Sequence, residues 1–424
     1  MTDLSTVNFF RDPQVAVDPW AYFNFLLSDR PIWLEPNYGV AMVSGWEEAL
    51  TVFRDPDTFS SCNLIAGPRP AFPVPIKGVG DDISELIEAH RDVLPQSDQL
   101  VTFDPPKHTF HRALLMGLIT PKRLKENEEF MWRLADRQLD VILAKGRCEF
   151  INDFAQPYTL LVIADLLGVP EEDHPQLLEA TGIGDMPGNV SGANAGHHTL
   201  DPIYDYFIER IGSRRTNPQG DVLTGMAEAT FPDGTTPDLL DVARIGANMF
   251  AAGQETTVRL LGACLRLLGD SPELQQQLRD NRDLIPRFIE ESLRLEGPIK
   301  SAFRLVRRTT SVGGVELPAG TVVLLMHTAT GRDARQFENP DELRIERPNA
   351  RRHLAFGHGA HTCPGAPLAR SEVRIVLERL FDRTSAITIS EEAHGPADAR
   401  RYQYMPTYLF HGLMNLHVEL TPTA

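Results

Sequence analysis

A chain of 424 residues with 42% hydrophobic and 23% charged side chains can bury a sizeable core, and this composition excludes disordered and collagen-like chains. With 58 acidic against 41 basic residues, the formal charge of −17 argues against general nucleic-acid binding and against docking on an anionic membrane. The four cysteines, Cys62, Cys148, Cys264 and Cys363, are far apart and form no CxxC, so reduced thiols are expected rather than a disulfide framework.

The opening MTDLSTVNFFRDP has neither a basic n-region nor a long apolar run, and no apolar stretch approaches membrane-spanning length. A soluble, cytoplasmic chain with no membrane partner is the expectation. Residues 30–60 read as short strands (IWLE, GVAMVS) followed by a helix in GWEEALTVFRD. Residues 61–100, rich in Pro and Gly and without a clear period, predict a long irregular connection of the kind that often lines a functional site.

From about 106 to 180 the apolar spacing is helical, and 182–200 then reads as a mobile lid or surface loop. Between 236 and 270 the pattern predicts an unusually long helix, apolar nearly all round and therefore buried. Asp270-Ser271-Pro272 ends it and caps the next helix, and another helix runs to about Arg294. Short strands with turns follow, then an irregular stretch, then a helix from near Ala366 to Phe381. The segment YMPTYLFHGLMNLHVEL reads as a β-hairpin. No repeat and no linker divides the chain. The expectation is one domain over 1–424, mainly α with small β-sheets.

The stretch FGHGAHTCPG, Phe356 to Gly365, places one cysteine among glycines directly before a helix. A free Cys is usually a small buried apolar residue, which suffices for Cys62, Cys148 and Cys264. Cys363 differs. Gly357, Gly359 and Gly365 allow a flat ligand to approach the backbone, while Pro364 and Pro367 suit a helix start. The helix N-terminal field should favour a thiolate there. Zinc held by His358, His361 and Cys363 is one reading, but no second ligand pair stands out. A cysteine hydrolase is another, but it lacks evident partners. A single axial thiolate on haem iron suits one cysteine on an apolar platform best.

The pattern Phe356-Gly357-x-Gly359-x-His361-x-Cys363-x-Gly365 resembles the haem-binding loop of the cytochrome P-450 family, and the resemblance covers nearly the whole chain. It implies that fold, with the long helix over the haem, and Cys363 as metal ligand. In AAGQETT it implies Thr256 and Glu255 as the pair that routes protons to bound O2, with Glu255 where relatives usually carry Asp, and Gly253 leaving room for dioxygen. Taken alone, Thr256 could simply bond the Ala252 carbonyl one turn back.

In EESLR, Glu291 and Arg294 share a helix face and would ordinarily be a weak surface pair. The resemblance implies a buried pair joined by Arg347. It also implies that His108 and Arg112 of DPPKHTFHR, with Arg304 and His361, meet the haem propionates, which need charge-assisted donors. Phe356 and Gly365 complete the cofactor set.

The implied activity is a monooxygenase using non-covalent haem b and O2, with electrons from a separate ferredoxin and its NAD(P)H-dependent reductase. Arg351, Arg352 and Arg370 are candidates for the docking face. The substrate would be a hydrophobic small molecule, in a pocket drawing on 61–100, 182–200, Met249, Phe250, Ala252, 299–303 and Leu409. A peroxygenase, a haem-thiolate isomerase or coupling enzyme, and a haem-thiolate sensor are the alternatives. The acid–threonine pair argues against the first, and the lack of an output domain against the last.

Overall fold

The apolar run from Leu239 to Gly269 folds as one helix of 31 residues. Its apolar positions are spread around the axis, and Val242, Ala247, Phe250, Val258, Leu261, Cys264 and Leu268 are all buried. A helix with no continuous polar face can be stable only inside the protein. This central helix crosses the largest hydrophobic cluster and packs on the helices Gln156–Leu166, Asp201–Thr216, Ile285–Glu296 and Ala366–Arg383. The computed structural model describes residues 3–64, 66–68, 72–175 and 201–423, so the lid expected at 182–200 lies outside the described residues.

Side-chain caps fix the helix ends. Thr120 Oγ1 accepts the Arg123 N–H at 3.2 Å to start Pro121–Lys145. Ser271 Oγ accepts the Leu274 N–H at 3.3 Å, with Pro272 in the first turn, as its sequence position leads one to expect.

The short strands are β1 (Ile32–Leu34), β2 (Ala41–Val43), β3 (Phe59–Ser60), β4 (Arg147–Glu149), β5 (Ala302–Val306), β6 (Thr310–Val312), β7 (Val315–Leu317), β8 (Val322–Leu325), β9 (Thr384–Ile389) and β10 (His417–Pro422). One sheet runs β1-β2-β8-β5-β3, with β2 and β8 parallel and the other pairs antiparallel. Residues Arg304 and Val323 are paired across β5 and β8, which sets Arg304 inside the sheet rather than on a surface loop. A second sheet is β4-β10-β9, and β6 pairs only with β7.

Two expectations change. The 61–100 connection contains a helix, Ser84–His90, whose Ile87 packs with Ile83 and Leu94 in a small cluster. One buried contact per turn is too faint a period to read from sequence. The C-terminal hairpin forms only over its first part. Tyr404 bridges Leu413 in antiparallel sense, and the Met405 N–H donates to the Gly412 carbonyl at 3.0 Å. Between them Phe410 bridges Ile299, while His417–Pro422 leaves the hairpin to join β9 and β4.

The Glu291–Arg294 pair is buried, with both side chains at 0% exposure. Arg294 donates to Glu291 at 2.8 and 2.7 Å, and also to the carbonyls of Gly331 (2.7 Å), Pro340 (2.6 Å) and Glu342 (3.0 Å). Arg347 adds a 2.9 Å contact to Glu291, and the Arg344 N–H a further bond at 3.0 Å. One carboxylate and two guanidiniums thus hold the irregular stretch that leads into the cysteine loop. Gly331 is part of the fit, since a β-carbon there would lie 2.1 Å from the Arg294 carbonyl oxygen.

Removing one partner of such a cluster strands a buried charge. Arg294→Ala should therefore lose roughly 3–5 kcal/mol of unfolding free energy, measured by chemical denaturation. A variant with the wild-type midpoint would show that the cluster is not structural.

Candidate functional site

The loop Phe356–Gly365 lies against the helix Trp46–Arg54. Gly357 and Gly359 have φ of +64° and +72°, and a β-carbon on Gly359 would come within 2.3 Å of the Phe53 carbonyl oxygen. Backbone conformation and close approach both require glycine there. The loop closes on itself where the Cys363 N–H donates to the Phe356 carbonyl at 2.9 Å. Gly365 has ordinary dihedrals, but it sits beside the sulfur: a β-carbon there would be 3.8 Å from Cys363 Sγ.

Burial pushes the Cys363 thiol upward, while the N–H groups of Gly365 and Ala366 at the helix start and the Arg112 and Arg370 charges act the other way, as the sequence leads one to expect. A cation bound directly to sulfur would add to them, because coordination deprotonates a thiol outright.

Around this loop four cationic side chains converge. The His108 and His361 rings are 4.0 Å apart, and Arg112 donates to the Thr362 carbonyl at 2.6 Å. Arg304, 4% exposed, donates to the Phe303 carbonyl at 2.7 Å. Burial pushes His108 down to about 4, and the neighbouring Arg112 charge pushes the same way. It also drives His361 down to about 2, helped by Arg304, His108 and Arg112, and lowers Arg304 to about 10.

Burial thus disfavours charge on all four, and the two histidines, held low, are neutral donors beside two guanidiniums near neutral pH. Among the described residues none of them has a carboxylate within ion-pair distance. The nearby Asp104 is taken by Arg91 and Arg307, each at 2.6 Å. Buried cations in this state fit a ligand that brings its own anions. Two carboxylates for the cations and an iron for the sulfur are what a haem offers, so the residues present fit that group.

On the central helix, the six residues Ala251–Thr256 are accessible while the turns on either side are buried. Thr256 Oγ1 donates to the Ala252 carbonyl at 2.9 Å. Glu255 accepts from Arg259 Nε, one turn on, at 2.8 Å, and Arg259 also reaches the Leu413 carbonyl. Gly253 has a packing reason that the sequence did not suggest: a β-carbon would come within 2.6 Å of Ile163 Cδ1. Phe250, expected to line the pocket, is packed in the core at 1% exposure, whereas Ala252 is open.

Among the described residues no three His, Cys, Asp or Glu side chains gather as a metal site, so the zinc reading gains no support. His361 instead meets Ser61 Oγ at 3.1 Å, and the Ser61 N–H donates to Asp104 at 2.8 Å. Ser61, Asp104, Arg91 and Arg307 were missed in the sequence. Asp104 opens the DPPKHTFHR motif, and its need for partners once buried was the available signal. Of the three candidate docking arginines, the Arg351 side chain is 77% exposed, Arg352 stacks on Trp46 and Arg370 turns inward to Glu290.

Comparison with known proteins bears on this geometry. A family profile described as Cytochrome P450 matches residues 209–406. Cytochrome P450 144 of Mycobacterium tuberculosis is 32% identical, over 92% of this chain and 88% of its own. Cyclomarin C epoxidase CymV of Salinispora arenicola is 34% identical, over 69% of this chain and 74% of its own. The substrate-free structure of Mycobacterium marinum cytochrome P450 CYP150A6 is 50% identical, covers 100% of both chains and superposes with a TM-score of 0.93. A chain this similar over this length, carrying an isolated cysteine among buried cations, belongs to the cytochrome P450 family of haem-thiolate monooxygenases.

Proposed function

We propose that this chain is a single cytochrome P450 domain, residues 1–424, that inserts one oxygen atom of O2 into a hydrophobic small molecule. Its electrons would come from a separate ferredoxin and NAD(P)H-dependent reductase. The observation that carries the reading is the group of two arginines and two histidines beside Cys363, buried or half-buried, with no carboxylate in ion-pair distance among the described residues. In this reading His108, Arg112, Arg304 and His361 would hold the two carboxylates of a non-covalent haem b, and Cys363 would bind its iron. Phe356 and Gly365 would form the platform behind the sulfur. Bound there, haem would supply the activation of O2, with the thiolate as an electron-rich ligand.

The remaining work belongs to side chains of the central helix. The Thr256 hydroxyl, already bonded to the Ala252 carbonyl, is placed to pass a proton one turn along the helix. Glu255 is the proton source, and its bond to Arg259 must loosen for the carboxyl to turn inward. Gly253, which admits the side chain of Ile163, lets two helices close tightly behind the reacting space. Substrate would rest on Ala252, Ala302 and Leu409, which are accessible and apolar. The exposed Arg351 is the cation best placed to meet an acidic electron donor, since Arg352 and Arg370 are engaged.

Cys363→His tests the ligand. Wild-type protein, reduced and bound to carbon monoxide, should show the strongly red-shifted Soret band of a thiolate complex, and the variant should lose it. Survival of the band would assign the iron to another residue.

Thr256→Ala tests the proton route. The variant should bind haem and substrate and accept electrons, yet divert NAD(P)H to hydrogen peroxide, so that product per cofactor oxidised falls several-fold. Glu255→Ala should slow turnover itself, on the order of 100-fold if it is the general acid. Unchanged coupling in Thr256→Ala would leave that hydroxyl as a helix contact only. Efficient turnover on added peroxide without a ferredoxin would favour a peroxygenase.

A further inference from the structure

Next to Phe356 of the cysteine loop lies a second, buried charge cluster. Glu290 is 3% exposed and sits one position before the structural Glu291. Arg370 donates to it through Nε at 2.6 Å and Nη2 at 3.0 Å, a two-bond fork. His353 Nε2 meets the same carboxylate at 3.1 Å, and Arg351 stands 3.9 Å away. Burial alone would raise the Glu290 carboxyl, but His353 and Arg370 hold it at about 2, so it is ionised.

Both partners of Glu290 face one aromatic ring. The Arg370 guanidinium lies over Phe356, 4.6 Å from the ring centroid, and the His353 ring centre is 5.8 Å from it. Phe356 in turn accepts the Cys363 N–H through its carbonyl. A second connection runs along the helix after the loop. Arg370 Nη1 reaches the carbonyl of Ala366, whose own N–H bonds the Cys363 sulfur.

We propose that Glu290 anchors a positioning unit with Arg370 and His353. The unit clamps Phe356 against the cysteine loop and keeps one positive charge in the field of the Cys363 sulfur, so it sets how readily the bound iron accepts an electron. This rests on Cys363 being the iron ligand. A cation held near an electron-rich sulfur favours the reduced centre, because reduction adds negative charge there. Glu290 cannot be replaced by solvent in this role. Without it, Arg370 has no reason to stay folded over the ring rather than extend into water.

The test compares haem-loaded wild type with Arg370→Gln, Arg370→Lys and Glu290→Gln, by iron reduction potential and by the carbon monoxide spectrum. Arg370→Gln should keep the red-shifted band and have a more negative potential. Arg370→Lys retains the charge without the fork and should fall between it and wild type. Glu290→Gln frees the arginine and should broaden the band, with part of the protein shifting to an unligated-thiol form. If Glu290→Gln does not fold, the two Arg370 variants decide. A potential in Arg370→Gln equal to wild type, with only the melting temperature lowered, would overturn the proposal and leave the cluster structural. Absence of the red-shifted band in wild type would overturn the ligand assignment beneath it instead.

Discussion

The arrangement turns on a deficit of negative charge. His108, Arg112, Arg304 and His361 are brought together inside the protein, each disfavoured as a cation by burial and the two histidines also by the arginines, with no carboxylate in ion-pair distance among the described residues. A folded chain tolerates uncompensated buried charge only at a cost of several kcal/mol. Such a cluster is reasonable when a ligand completes it. The elements that carry these residues come from three separate parts of the chain: the helix Lys107–Leu118 supplies two, β5 one and the cysteine loop one. Much of the fold can be understood as the means of holding them in place.

That holding is done by other charges that are fully paired. Asp104, directly before the double proline of DPPKHTFHR, is bound by Arg91 and Arg307, and through Ser61 it steadies His361. Asp104 favours the charged forms of His108 and Arg304 from nearby, but its own hydrogen bonds go to Arg91, Arg307 and Ser61. Glu291 does the same for the segment leading to the loop, and Glu290 for the aromatic ring behind the sulfur. Adjacent residues on one helix thus support two different stretches of chain: the one that enters the loop and the one that backs it. The pattern is consistent. Structural carboxylates are saturated, and the cations of the site are left open.

Much of this was legible in the sequence, for identifiable reasons. The central helix was clear because apolar positions on every face leave burial as its only stable state, and the cap at Ser271 followed from local hydrogen bonding. The cysteine loop was clear because glycine, histidine and cysteine occur there at fixed spacing, and its glycines at 357 and 359 do occupy the left-handed region. What sequence could not supply was contact at long range. Gly253 opposite Ile163, Gly331 against the Arg294 carbonyl and Ser61 against His361 join residues far apart in the chain. The expected hairpin at the C-terminus is cut short for the same reason: Tyr404 pairs with Leu413, but Phe410 pairs with Ile299 and the final strand with β4 and β9. The pairing of Glu255 with Arg259, at i and i+4, is by contrast local and legible in the sequence.

The central claim is that the four cations exist to receive the two carboxylates of a haem whose iron binds Cys363. Titrating the apoprotein with haem, and separately with haem dimethyl ester, isolates that claim, since the ester keeps the ring and the iron but has no negative carboxylates. Hydrogen bonds to charged groups contribute about 1.5–3 kcal/mol each, so loss of two carboxylates should weaken binding by roughly 100-fold or more. Equal affinity for the two ligands would mean that these cations serve something else, and the site would have to be assigned anew.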